Sequence, residues 1–233
     1  MVRSFLKDTD LTPAEAAEVF DLAYRYKKLR SAGVMDVLRG QSWGLIFFKK
    51  STRTRLSFEA GIYELGGHPM VMNSSDLQIS RGETIEDTAR IMGRFLHGIV
   101  IRTFGQDIVE TFAKYSGLPV VNALTDLLHP CQSYTDMFTM MEYFSKGTPS
   151  VESLKGKKFV FFGDTACNMA YSLALAGSMF GVEVVLCGPE EFKPSKDLDK
   201  LFEDAKLPKN YTFTDDPIKA AKGANILYTD VWV

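Results

Sequence analysis

The stretch Trp43-Gly44-Leu45-Ile46-Phe47-Phe48-Lys49-Lys50-Ser51-Thr52-Arg53-Thr54-Arg55 decides the fold. Its first six residues form a continuous apolar run, the pattern of a strand covered on both faces. Ser51 then opens a helix that runs to about residue 65 and is closed by Gly66-Gly67. A buried strand feeding a helix is the first half of a βαβ unit, and the same alternation continues along the chain. Residues 68–72, 98–102 and 118–122 have strand patterns, and residues 84–94, 106–115 and 132–144 have helical ones. Thr84 and Asp87 make a capping pair for the first of these helices. Upstream, Thr12-Pro13-Ala14-Glu15 is a helix start, with Thr12 as N-cap, Pro13 at N1 and Glu15 at N3, and the helix extends to about residue 30. Between residues 145 and 158 Ser, Gly, Thr, Pro and Lys take over, which places a domain boundary at 147/148. A second alternating run follows: strand 158–162, helix 168–180, strand 182–187, a polar stretch, helix 217–221 and strand 226–229. The expected fold is α/β, with two doubly wound parallel-sheet domains at residues 1–147 and 148–233. The second is expected to be incomplete at its C-terminal end, because a parallel sheet that finishes on a fresh strand lacks its covering helix.

Composition narrows the class without naming a chemistry. The 233 residues are 45% hydrophobic and carry a net charge of −2, with 27 Lys+Arg against 29 Asp+Glu. This is enough apolar material for a core, and the balance argues against a general nucleic-acid binder. The apolar runs are strand-sized, with no membrane-length stretch and no signal-peptide core at the N-terminus. Cys131, Cys167 and Cys187 are odd in number, far apart and free of metal-ligand spacing. No zinc site or disulfide scaffold is expected, and the redox prior is a reducing, cytoplasmic compartment.

Residues 51–55 supply three hydroxyls and two guanidiniums where a helix begins after a buried strand. Backbone N–H groups and the helix dipole favour an anion there, and arginine engages phosphate bidentately. A dianionic phosphate is the natural guest. The same run also fits a capping Ser followed by a solvated basic turn. Arg102 ends a strand, and His129 and Ser51 each follow one. In an open parallel sheet ligands sit at the carboxyl ends of strands, so these three groups are expected to converge. On its own each has an ordinary alternative. Arg102 could be a strand-end charge, His129-Pro130 a strand cap and helix start, Gln78 an exposed loop residue, and Asp230 a turn residue.

Ser51-Thr52-Arg53-Thr54-Arg55 resembles the carbamoyl-phosphate loop of the aspartate and ornithine carbamoyltransferase family. Further matches follow in order. His129-Pro130-Cys131-Gln132 resembles the family's H-P-x-Q segment. Residues 77–88, Leu-Gln-Ile-Ser-Arg-Gly-Glu-Thr-Ile-Glu-Asp-Thr, resemble the loop and helix after the second strand. Gly163-Asp164-Thr165-Ala166-Cys167-Asn168 is similar to the ornithine-type G-D-x-x-N-N turn, with Cys167 where the family usually has Asn. Tyr228-Thr229-Asp230-Val231-Trp232-Val233 resembles the ornithine-type T-D-V-W segment. The resemblance implies carbamoyl transfer from carbamoyl phosphate to the δ-amine of L-ornithine, giving L-citrulline and phosphate, with no metal and no cofactor. It implies that Ser51, Thr52, Arg53 and Thr54 hold phosphate, and that Thr54, Arg102 and His129 stabilise the oxyanion. Gln132 would hold the carbamoyl nitrogen, and Asn168 and Asp230 would bind ornithine. Gln78 would serve a neighbouring subunit's site, within a homotrimer that shares its active sites. Partners beyond the two substrates, nucleic acid or membrane among them, are not expected. The family's S-M-G loop, H-C-L-P segment and C-terminal helix find no match in these residues. The expectation for the 233-residue chain alone is therefore little or no turnover. Two other functions fit the same residues: transfer to putrescine or agmatine, and a catalytically silent anion-binding fragment.

Overall fold

The computed structural model describes residues 2–30 and 33–230. It resolves into two compact units. One holds the N-terminal segment to Asp10 and Ala23–Asp126; the other holds Leu11–Leu22 and the chain from Leu127 onward. Each contains one four-stranded parallel sheet.

The first helix, α1 (Pro13–Leu29), begins with the reciprocal cap its sequence predicts. Glu15 N–H donates to Thr12 Oγ1 at 3.3 Å, and Thr12 N–H donates to the Glu15 carboxylate at 2.8 Å. The first sheet has β1 (Ser42–Phe47) at its centre, between β2 (His68–Asn73) and β3 (Gly98–Arg102), with β4 (Val120–Leu124) beyond β3. Alternate residues of β1 and β3 enter different cores, as a period of two requires. Ile46, Ile99 and Ile101 pack with Ala89 and Met92 of α3 (Ile85–Phe95) and Val109 and Phe112 of α4 (Gln106–Ser116). Leu45, Phe47 and Val100 face the other way, onto Ile62 and Phe58 of α2 (Arg53–Glu64). This is the two-sided burial that the apolar run at 43–48 demands. Thr84 caps α3 by accepting from Asp87 N–H at 3.1 Å, while the Asp87 side chain pairs with Arg90 instead of closing the box.

In the second unit α5 (Pro130–Phe144) precedes β5 (Lys158–Phe162), α6 (Asn168–Phe180) and β6 (Glu183–Cys187). Then come α7 (Lys196–Ala205), β7 (Tyr211–Thr214), α8 (Pro217–Ala221) and β8 (Ile226–Thr229), in sheet order β7-β6-β5-β8. Val160, Val185 and Cys187 cover Ala220 of α8 on one face. Residues Met169–Gly177 of α6 are buried without interruption. An aromatic cluster of Phe20, Tyr134 and Phe180, with ring centroids 5.4–5.7 Å apart, packs α5 and α6 with the first turns of α1.

Two elements were not visible in the polar stretch after Cys187. α7 is capped by Ser195, which accepts from Asp197 N–H, and it is anchored by Leu198 and Phe202 alone. Six of its ten residues are charged, and only two of its four apolar side chains are buried, so low apolar content hides it. β7 is a four-residue edge strand with no buried residue.

Close backbone approach holds the turn after β5. Gly163, at φ +137°, donates to Cys187 O at 3.0 Å. A Cβ on Gly188 would stand 2.2 Å from Gly163 O, against backbone that cannot yield cheaply. Gly188→Ala should therefore lower stability by about 2 kcal/mol, as overpacking does. A urea-unfolding midpoint equal to that of the parent would contradict this account of the turn.

Candidate functional site

The site residues fall into two clusters, one in each unit. In the first, both central strands end at the same level, since Phe47 of β1 is paired with Arg102 of β3. Phe48 N–H then donates to Arg102 O at 2.9 Å, so the chain leaves the sheet beside Arg102 before it turns into α2. Thr52 is the N-cap residue of α2 but makes no side-chain cap. Ser51 acts in its place, its Oγ accepting from Thr54 N–H at 3.2 Å. Arg102 Nη1 donates to Thr54 Oγ1 at 3.2 Å. These bonds set a guanidinium, two hydroxyls and a helix N-terminus around one point, the arrangement that suits a phosphate.

The electrostatics point the same way. Burial, and then the neighbouring Arg53 cation, lower the pKa of Arg102, though a guanidinium remains charged. Its Nε is buried with no hydrogen-bond partner among the described residues. An anion relieves both the repulsion and the unmet donor. Arg55, by contrast, lies along α2 and pairs with Glu59 at 3.4 Å. Lys49 is tied to Asp126 and sits over the Phe104 ring, 4.5 Å from its centroid. Lys50, Ser51, Thr52 and Arg55 line a cleft of about 530 Å³ that Asn73 and Ser74 complete. Gln78 lies on the short 3-10 turn Gln78–Arg81, exposed, and its side chain makes no hydrogen bond among the described residues.

The second cluster starts with His129, the N-cap residue of α5, whose Pro130 takes the first helical position. His129 N–H donates to Ser172 Oγ of α6 at 2.8 Å, which fixes the main chain at this corner. Gln132 Nε2 donates to Asp136 Oδ1 at 2.8 Å, one turn further along α5. Asp136 escaped the sequence reading; the available signal was its i+4 spacing from Gln132 on one helix. Burial pushes its carboxyl up to about 6, with Asp230 adding to the rise, while Gln132 and Tyr228 act in the opposite sense. Tyr228 of β8 is itself raised, by burial first and by Asp136 next.

Asn168 begins α6, after a turn in which Asp164 accepts from Ala166 N–H at 2.8 Å. Cys167 is the N-cap residue, and burial pushes its thiol up. Asp230 follows β8, exposed, and its charge reaches Asp136, Tyr228 and Cys167. Val231, Trp232 and Val233 lie outside the described residues. Among the described residues no cluster of His, Cys, Asp and Glu could hold a metal ion, and no helix is long and apolar enough to cross a membrane.

Comparison with known proteins meets this geometry from another side. Residues 3–142 match the sequence model of the aspartate/ornithine carbamoyltransferase carbamoyl-P binding domain, and residues 155–233 that of the Asp/Orn binding domain. Among similar proteins, the ornithine carbamoyltransferase of Methanosarcina mazei is 44% identical over 100% of this chain and 74% of its own length. That of Akkermansia muciniphila is 42% identical, over 100% of this chain and 73% of its own. Among solved structures, ornithine carbamoyltransferase from Pyrococcus furiosus superposes with a TM-score of 0.88 at 38% identity, covering 99% of this chain and 72% of its own. A mitochondrial ornithine carbamoyltransferase from Coccidioides immitis gives 0.89 at 33% identity, over 100% and 75%. The chain thus spans about three quarters of these relatives, across both domains that define them, and it belongs to the aspartate/ornithine carbamoyltransferase family.

Proposed function

We propose that the chain serves carbamoyl transfer from carbamoyl phosphate to the δ-amine of L-ornithine, with L-citrulline and phosphate as products. The observation that carries this reading is the Arg102–Thr54–Ser51 arrangement at the start of α2, a preorganised site for a phosphate dianion. The similar proteins, ornithine carbamoyltransferases, supply the acceptor. In the reaction the neutral δ-amine attacks the carbonyl carbon. A C–N bond forms, and a tetrahedral intermediate bears negative charge on the former carbonyl oxygen. The C–O bond to phosphate then breaks, phosphate carries away the electron pair, and the nitrogen loses a proton.

Ser51, Thr52, Arg53 and Thr54 hold the phosphate through the transfer. Thr54, Arg102 and His129 address the oxyanion, and donors placed before the charge develops are commonly worth about 3 kcal/mol each. Gln132 accepts from the carbamoyl NH₂. Asn168 and Asp230 bind the amino-acid end of ornithine, where a carboxylate complements an ammonium. No observation favours putrescine, agmatine or a silent fragment. Residues 1–147 serve as the carbamoyl-phosphate-binding domain and 148–233 as the ornithine-binding domain, a division supported by the matched ranges 3–142 and 155–233, whereas the compact units part at Asp126/Leu127 and count Leu11–Leu22 and α5 with the second. We further infer a cytoplasmic homotrimer in which Gln78 is presented to a neighbouring subunit's site. Its exposed position on the Gln78–Arg81 turn supports that role.

Three outcomes are expected. Arg102→Ala should weaken carbamoyl phosphate binding roughly 10–100-fold by calorimetry, the effect of losing a hydrogen bond to a charged group; unchanged affinity would place the phosphate elsewhere. In an amine panel read by calorimetry with carbamoyl phosphate bound, ornithine should bind ahead of putrescine and agmatine. Equal binding of putrescine would remove Asp230 and Asn168 from amine recognition. Sedimentation should give three times the chain mass, and a monomer at every concentration would leave Gln78 without its proposed role.

A further inference from the structure

Gln132 and Asp136 stand one helical turn apart on α5, with Gln132 Nε2 donating to Asp136 Oδ1 at 2.8 Å. The two ends of an amide are nearly the same size, so hydrogen bonding, not shape, decides which way it faces. An ionised carboxylate only accepts. It therefore holds the NH₂ end of Gln132 and turns Oε1 away. The reverse orientation would set a carbonyl oxygen against a carboxylate oxygen. The carboxylate is itself embedded: Oδ2 is buried, with no partner in hydrogen-bond geometry among the described residues. Tyr228 interacts with it from β8, and Asp230 adds negative charge nearby. No other part of the derived mechanism uses this buried group.

We propose that Asp136 is a positioning residue that locks the Gln132 amide with its carbonyl oxygen outward, as the acceptor for the NH₂ group of carbamoyl phosphate. The proposal rests on the carbamoyl-transfer reading and deepens it. It asks nothing of Asp136 in the chemistry itself. Neutralising Asp136 without changing its shape should free the amide. Asparagine at this position can offer its own NH₂ to Gln132 Oε1 and reverse the orientation, so that an N–H donor opposes the carbamoyl N–H.

The test compares the parent protein, Asp136→Asn, Gln132→Ala and the double variant by calorimetry with carbamoyl phosphate. Asp136→Asn should weaken binding about tenfold in the parent, the loss of one charge-assisted hydrogen bond. In the Gln132→Ala background it should change affinity less than about twofold, because the residue it acts through is gone. The same loss in both backgrounds, as a merely structural role would give, overturns the proposal. So does full affinity in Asp136→Asn. The amide is also read without any ligand, by amide-¹⁵N labelling of glutamine. The Gln132 NH₂ signal, assigned by its disappearance in Gln132→Ala, should be protected from exchange in the parent and shifted in Asp136→Asn. A Gln132 signal in the parent that exchanges like a solvent-exposed glutamine overturns the proposal, even if Asp136→Asn fails to fold. A parent that shows the protected signal but does not bind carbamoyl phosphate would refute the functional reading while leaving the amide lock in place.

Discussion

The level at which neighbouring parallel strands stop governs what this molecule can do. Phe47 is paired with Arg102 across β1 and β3, so the segment leading into α2 and the Arg102 side chain leave the sheet side by side. The Arg102–Thr54 hydrogen bond exists only because of that register. A slip of one residue would send Arg102 to the opposite face of the sheet and would turn Ile99 and Ile101 out of the core they share with α3 and α4. The same apolar contacts that stabilise the first unit therefore aim its cations. Half-buried and beside Arg53, Arg102 has a depressed pKa, which marks electrostatic stress that the surrounding packing sustains.

The second sheet repeats the device with different chemistry. β5 lies between β6 and β8, and Phe162 is paired with Thr229. The next residues, Gly163 and Asp230, therefore leave the sheet together, between strands whose connections run to opposite sides. That is the switch point at which open α/β sheets accept ligands. In the first sheet the corresponding point lies between β1 and β3. Neither site requires a special strand. Each needs only a reversal of strand order, with a helix start or turn carrying the right side chains at that position.

Much of this could be read from the chain, for identifiable reasons. Strands buried on both faces leave unbroken apolar runs, so β1, β3, β5 and β6 stand out. The helix caps at Thr12 and Thr84 have local signatures that tertiary structure does not override. α7 and β7 did not stand out, because an outer helix needs only Leu198 and Phe202 to dock and a short edge strand needs no buried residue. β4 begins two residues later than its apolar run suggests. Pro119 has no N–H to give the ladder, and only its carbonyl takes part, accepting from Ile99 N–H. Of the site, residues 51–54, Arg102, His129 and Gln132 are carried by motif and position. Asp136 was not, since an acidic residue on a helix has an ordinary solvated reading. Only its burial and its bond to Gln132 set it apart.

The two clusters differ in sign, and that difference orders the chemistry. The first gathers guanidinium, hydroxyl and helix N-terminus, all donors. The second gathers Asp136 and Asp230 around Tyr228 and Cys167. A phosphate dianion is favoured by the first and repelled by the second, while an ammonium has the opposite preference. The cost of the second arrangement appears in Asp136, pushed up to about 6 by burial and the charge of Asp230. Stability carries the same sign. A carboxyl whose folded pKa exceeds its unfolded value binds more protons when folded, so its contribution to stability falls as pH rises from about 4 towards 6. Keeping Asp136 ionised at neutral pH therefore works against folding. The Gln132 bond offsets part of that cost, and the same bond turns the amide carbonyl outward.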